Sequence, residues 1–232
     1  MTRRLRPPKL AALDLDGTLV DTLPDLTFCI DEMLLGLGLE PAGQERVRGW
    51  VGRGVDELVL SALAARVDGP ATNAFFAGAR AAFVELYAAH ASDRSRVYPG
   101  VREGIEFLRS LPAKLACVTN KATVHTERVL EDLGLLAAFH LVVSGDTLAQ
   151  KKPSPAPLLY AAEQLAVPPL DSVLIGDSPT DIEAARRARF MIICVSYGYG
   201  AASCIRQGDP DAVIDSLAEL PDLFELPLGS AG

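Results

Sequence analysis

The chain is poor in the residues that staple or clasp small proteins, with four cysteines and three histidines in 232 residues. Cys29, Cys117, Cys194 and Cys204 show no C-x-x-C spacing and mostly sit in apolar context, which fits free thiols better than a disulfide frame. His90, His125 and His140 are too scattered for a local zinc site. No apolar run reaches 18 residues, so no membrane-spanning helix is expected. The basic start Met1-Thr-Arg-Arg-Leu-Arg resembles the head of a signal peptide. The apolar stretch behind it, Leu10 to Leu13, stops at Asp14, far short of an h-region, so the expected location is the cytoplasm, with no membrane partner. Lysine is scarce too, limited to Lys9, Lys114, Lys121, Lys151 and Lys152. Against 30 Asp and Glu the chain sets 22 Lys and Arg, a net charge of -8 that repels polyanions and makes nucleic acid an unexpected partner.

What is present is a globular composition, 49% hydrophobic and 22% charged, long enough for a sizeable core with an insertion. Short apolar runs each end in polar residues: Leu10 to Leu13 before Asp14, Leu115 to Val118 before Thr119 and Asn120, and Val173 to Gly176 before Asp177. Leu141 to Val143 and Met191 to Val195 follow the same pattern. These runs predict buried parallel strands. Helical spacing lies between them, in Val101, Ile105, Leu108 and Leu111, in Val129, Leu130 and Leu133 before Gly134, and over 157–165 and 181–188. Strand and helix in alternation predict an α/β fold, a doubly wound, Rossmann-like parallel sheet whose ligands bind beyond the carboxyl ends of the strands.

From Thr22 to about Arg94 only helical periodicity is found. Leu23, Leu26, Ile30, Leu34 and Leu37 form one face, and Phe75, Ala79, Phe83, Leu86 and His90 another. The expected organisation is therefore a core of residues 1–21 and 95–232 with a helical cap domain, 22–94, inserted after the first strand. Its hinges fall near 21–24 and 95–100.

The strongest chemical signal is Asp14-Leu15-Asp16-Gly17-Thr18-Leu19. Two carboxylates two residues apart in an extended segment point the same way, and Gly17 then permits a sharp turn. A calcium loop would need glycine at its sixth position, where Leu19 stands. Gly176-Asp177-Ser178-Pro179-Thr180-Asp181 brings two more carboxylates to a helix start, where an aspartate can equally be a cap. Four carboxylates at one sheet edge repel one another by about 4 kcal/mol per close pair at an effective dielectric of about 20. A cation is required, and oxygen ligands without His or Cys point to Mg²⁺. Thr119 with Asn120, and Lys152 before Pro153, supply a hydroxyl, backbone N–H groups and an ammonium, which suit phosphate oxygens. Lys151 is left to solvent.

With these residues in order, the sequence resembles the haloacid dehalogenase superfamily of phosphohydrolases across essentially the whole chain. Its four motifs appear as Asp14-Leu-Asp-Gly-Thr, Thr119-Asn120, Lys152-Pro153 and Gly176-Asp177 with Asp181. The helical insertion is similar to that superfamily's mobile cap. The resemblance implies that Asp14 attacks phosphorus and that Asp16 is the general acid and base. It implies that Mg²⁺ is held by Asp14, the backbone carbonyl of Asp16, Asp177 and, through water, Asp181. Thr119, the N–H of Asn120 and Lys152 would bind the transferring phosphoryl group, with Lys152 also restraining Asp14.

Asp16 argues against a dehalogenase, which has no leaving alcohol to protonate. The absence of lysine between Lys9 and Lys114 excludes a Schiff-base phosphonate hydrolase. Thr22-Leu-Pro-Asp25, Trp50-Val-Gly52-Arg53-Gly54, Tyr98-Pro-Gly100 and Tyr197-Gly-Tyr-Gly200 are similar to the phosphoglycolate phosphatase family. That resemblance implies a small phosphorylated metabolite as partner and 2-phosphoglycolate as substrate. Gly52 and Gly54 flank Arg53 in a flexible cap loop able to bring a guanidinium to a substrate carboxylate, although Arg53 could equally be a solvated loop residue. Another sugar-phosphate phosphatase, a β-phosphoglucomutase-like mutase, or a phosphoacceptor signalling switch are the alternatives. A monomer or homodimer is expected.

Overall fold

A computed structural model describes residues 4–66 and 72–225; the first residues of the basic start, 1–3, the stretch 67–71 within the expected cap and the tail 226–232 lie outside the described residues. Strand β1 (Leu10–Leu13) leads to the two-residue β2 (Val20–Asp21) and helices α1 (Leu23–Gly36), α2 (Gln44–Arg48), α3 (Val55–Ala64) and α4 (Asn73–His90), closed by β3 (Arg96–Val97). Alternation then begins: α5 (Val101–Ser110), β4 (Lys114–Val118), α6 (Thr123–Asp132), β5 (Leu141–Val143), α7 (Ala156–Gln164) and β6 (Ser172–Gly176). It continues through α8 (Pro179–Ala188), β7 (Met191–Val195), α9 (Ala202–Gln207), β8 (Ala212–Ile214) and α10 (Leu220–Leu223).

Six strands pair in the order β5-β4-β1-β6-β7-β8, every pair parallel. The central strand explains its own sequence. Ala11 and Leu13 face one apolar core and Leu10 and Ala12 the other, so Leu-Ala-Ala-Leu carries no polar residue. Register does the functional work here. Leu13 lies level with Cys117 on β4 and Ile175 on β6, so Asp14, the Thr119 turn and Asp177 emerge from the same sheet edge. The expected strands are all present. Edge strand β8 adds a sixth that hydropathy did not mark, because it has three residues and exposes Val213.

In the insertion, α1 buries the anticipated Leu23, Leu26, Ile30 and Leu34, with Cys29 and Met33 beside them. Helix α4 corrects its expected face. Ala79, Phe83 and Tyr87 are buried, whereas Leu86 and His90 are partly exposed, because the stripe continues by a step of four from Phe83 and stacks Tyr87 on it. The two crossings between core and insertion pair as an antiparallel ladder, Val20 with Val97 and Asp21 with Arg96. All four cysteines are free, three of them buried. Among the described residues no helix is long and apolar enough to cross a membrane.

Candidate active site

Asp14 leaves β1 with its N–H donated to the Ile175 carbonyl at 2.9 Å, so the sheet fixes its backbone. Gly17 turns the chain at φ +84°, and a Cβ there would come 2.6 Å from Asp177 Oδ2. Only glycine meets both demands. The turn brings the Thr18 hydroxyl to Asp177 Oδ1, donating at 3.1 Å. Asp177 Oδ2 accepts from the backbone N–H groups of Tyr199, at 2.6 Å, and Gly200, at 3.3 Å. Asp181 caps α8 in a reciprocal box with Ser178, so its role as a cap is real. Its other oxygen, Oδ1, faces Lys152 Nζ at 2.7 Å.

Lys152 Nζ also stands 2.8 Å from Asp14 Oδ1, although that oxygen is buried and has no aligned hydrogen-bond donor. Carboxylate oxygens of Asp14, Asp177 and Asp181 lie within 4.8 Å of one another. Burial, opposed mainly by Lys152, pushes Asp14 up to about 7. Burial and the charges of Asp181 and Asp14 push Asp177 up to about 8. Burial works against the Lys152 charge, yet Asp14 and Asp181 outweigh it and hold the ammonium protonated. Three buried carboxylates gathered within 4.8 Å and an all-oxygen donor set fit a divalent cation.

The Asp16 side chain stands apart from that cluster. Its oxygens accept from the Thr22 hydroxyl at 2.7 Å and from Lys121 Nζ at 3.0 Å. Lys121 Nζ also donates to the Tyr87 hydroxyl of α4 at 2.6 Å. Thr119 Oγ1 accepts from the Lys121 N–H at 3.2 Å. Asn120 acts through its side chain: Oδ1 accepts the Lys152 N–H at 2.9 Å, and Nδ2 donates to the carbonyls of Lys152, at 2.8 Å, and Gly52, at 2.9 Å. One amide thus ties two core loops to the insertion. Its two donors and one acceptor are all engaged.

Two spaces open beside Asp14. An outer cleft of about 280 Å³ is lined by Arg48, Gly52, Arg53, Asp177 and Tyr199 as well as Asp14 and Asp16. An inner cavity of about 40 Å³ runs under α3 and α4 to Tyr87, Lys121 and His125. Arg53 is exposed on the outer side, and Gly52 borders both spaces. Lys151 Nζ reaches Gly54, where a Cβ would approach it to 3.2 Å.

Sequence reasoning missed Lys121, Tyr87, Thr22 and Tyr199. The Tyr199 hydroxyl accepts the N–H groups of Thr22, at 2.7 Å, and Leu23, at 2.9 Å, while its own N–H holds Asp177. Adjacency to Thr119-Asn120 was a usable signal for Lys121. Tyr199 carried only its place in the Tyr197-Gly-Tyr-Gly200 run, which gave no sign that its hydroxyl reaches Thr22, 177 residues away.

With this geometry in hand, the comparisons with known proteins fall on one family. A family model described as haloacid dehalogenase-like hydrolase matches residues 8–189. A phosphoglycolate phosphatase of Nitrosococcus oceani is 47% identical over 95% of this chain and 98% of its own length. That of Thiobacillus denitrificans is 41% identical over 92% of this chain and 94% of its own. The crystal structure of a predicted phosphoglycolate phosphatase from Haemophilus somnus superposes with a TM-score of 0.89 at 33% identity, covering 94% of this chain and 98% of that one. The matched span holds all four motifs and the inserted helices that surround them, and the chain belongs to the haloacid dehalogenase-like hydrolases.

Proposed function

We propose that the protein is a Mg²⁺-dependent phosphatase of small phosphomonoesters, with 2-phosphoglycolate as its substrate. The observation that carries the reading is the pairing of three clustered, buried carboxylates, Asp14 among them, with an inner cavity of about 40 Å³ beside Asp14. One water needs about 10–15 Å³, so the cavity suits a leaving group of a few heavy atoms and not a hexose. The relatives named for phosphoglycolate hydrolysis support the same choice.

Asp14, Asp177 and Asp181, with the backbone carbonyl of Asp16, would hold Mg²⁺, which neutralises charge on the phosphoryl group and aligns it. Asp14 attacks phosphorus as the bond to the leaving oxygen breaks, and Asp16 gives that oxygen its proton. Asp16 then takes a proton from water. The new hydroxide attacks phosphorus, freeing inorganic phosphate and restoring Asp14. Lys152 offsets the negative charge of Asp14 and the phosphoryl oxygens. Thr119, beside Asp14 in the inner cavity, and the Asn120 N–H would bind those oxygens. Gly52 anchors the cap loop through Asn120. Arg53 lies at the outer mouth, where it would meet approaching anions.

Phosphate release from a panel of small esters, with and without Mg²⁺, tests the reading. Fast Mg²⁺-dependent release from 2-phosphoglycolate and slow release from hexose phosphates is the expected pattern. Equal rates on both would refute the substrate assignment.

A further inference from the structure

We propose that Lys121, together with the Tyr87 hydroxyl, forms the subsite that recognises a carboxylate on the substrate's leaving group. The inference deepens the phosphatase reading above and rests on it.

The inner cavity is bordered by Asp14 and also by Lys121, Tyr87 and His125. Its side walls are Leu26, Val51, Val55 and Leu58. Among the described residues lining it, two carry negative charge, Asp14 and Asp16. Burial, with the nearby Lys121 charge, pushes His125 down to about 4 and leaves that ring neutral. Among the described residues lining the space Lys121 is therefore the one cation, and it is buried. An anionic leaving group enclosed by aliphatic walls needs a charged partner, since an unpaired carboxylate there is strongly disfavoured.

The donor inventory meets that need. An ammonium has three N–H groups and a phenol one O–H. Lys121 has two partners, Asp16 and Tyr87. Tyr87 accepts from Lys121 and, among the described residues, donates to nothing. A free ammonium donor and a free hydroxyl proton thus stand side by side, their heavy atoms 2.6 Å apart, in the lining of the cavity. Two adjacent donors match the two oxygens of one carboxylate. The placement also fits the chemistry: Lys121 lies 3.0 Å from Asp16, the group that serves the leaving oxygen, so a carboxylate one carbon beyond that oxygen falls within reach. Arg53 borders the outer cleft and not this cavity.

The test compares kcat/KM for 2-phosphoglycolate and for ethyl phosphate, which lacks only the charged end. The ratio cancels any effect of Lys121 on Asp16 that both esters share. Wild type should prefer the carboxylated ester about 10- to 100-fold. Lys121→Met should abolish the preference and Tyr87→Phe should reduce it severalfold. Should Lys121→Met be inactive on both esters, Tyr87→Phe alone decides. A Tyr87→Phe or Lys121→Met ratio equal to wild type would overturn the subsite, as would a wild-type enzyme that hydrolyses both esters without preference. No release from either ester would instead defeat the phosphatase reading, and the subsite with it.

Discussion

Asp25 on the first turn of α1 accepts both the backbone N–H and the hydroxyl of Ser95 at 2.7 Å, joining the chain as it enters the insertion to the chain as it leaves. The Arg94 N–H adds two contacts at 3.0 Å, and Asp25 is fully buried. A short antiparallel pairing of β2 with β3 stands beside this clamp. The insertion therefore joins the core at a crossing that is hydrogen-bonded on both strands.

Removing the clamp should cost stability before it costs chemistry. Asp25→Ala leaves the N–H groups of Arg94 and Ser95 without an acceptor, and the Ser95 hydroxyl with only the longer contact to the Ala91 carbonyl, and should lower unfolding free energy by about 3 kcal/mol. Urea denaturation measures it. A loss under about 0.5 kcal/mol, the usual scale for a surface substitution, would show that the clamp carries no weight.

Gly17→Ala should uncouple the two acidic motifs. The added methyl meets Asp177 Oδ2 at 2.6 Å and the backbone resists φ +84°, so Asp177 must move. A displacement of that size should lower kcat by about 100-fold with the fold intact. Circular dichroism and steady-state rates check both halves.

Asn120→Asp should be worse than Asn120→Ala. Alanine loses three hydrogen bonds, whereas a carboxylate would also face the carbonyls of Gly52 and Lys152. We expect kcat/KM to fall about 10-fold for alanine and further for aspartate. The reverse order would deny the amide its bridging role.

Stability without metal should fall as pH rises. Asp14 and Asp177 are raised above the ordinary carboxylate value of 3.8, to about 7 and about 8, chiefly by burial. Between about pH 4 and 8 the folded state then binds more protons than the unfolded one, so unfolding free energy declines with pH across that window. In EDTA, Tm should drop from pH 6 to pH 9, and Mg²⁺ should raise it more at pH 9. A Tm in EDTA that climbs over this range would contradict the burial of the cluster.

Much of this was legible beforehand because the sheet core obeys simple periodicity. Leu10 to Leu13 had to be buried, since an all-apolar strand needs cover on both faces, and its observed register places Asp14 and Asp177 at one sheet edge. What escaped were contacts made by side chains with mixed character. Tyr87 lay one residue from the expected helical face, and Lys121 looked like any lysine until a phenol and a carboxylate were found around its ammonium. Asn120 was expected to contribute its backbone N–H, and spacing along the chain held no sign that its amide reaches Gly52.

The central claim is that Asp14 becomes phosphorylated during turnover. Rapid mixing with 2-phosphoglycolate labelled in phosphorus, an acid quench within the first turnover and peptide mapping address it directly. Label is expected on the peptide holding Asp14, and none in Asp14→Asn. Steady phosphate release by Asp14→Asn, or turnover by wild type with no protein-bound label at any quench time, would contradict it.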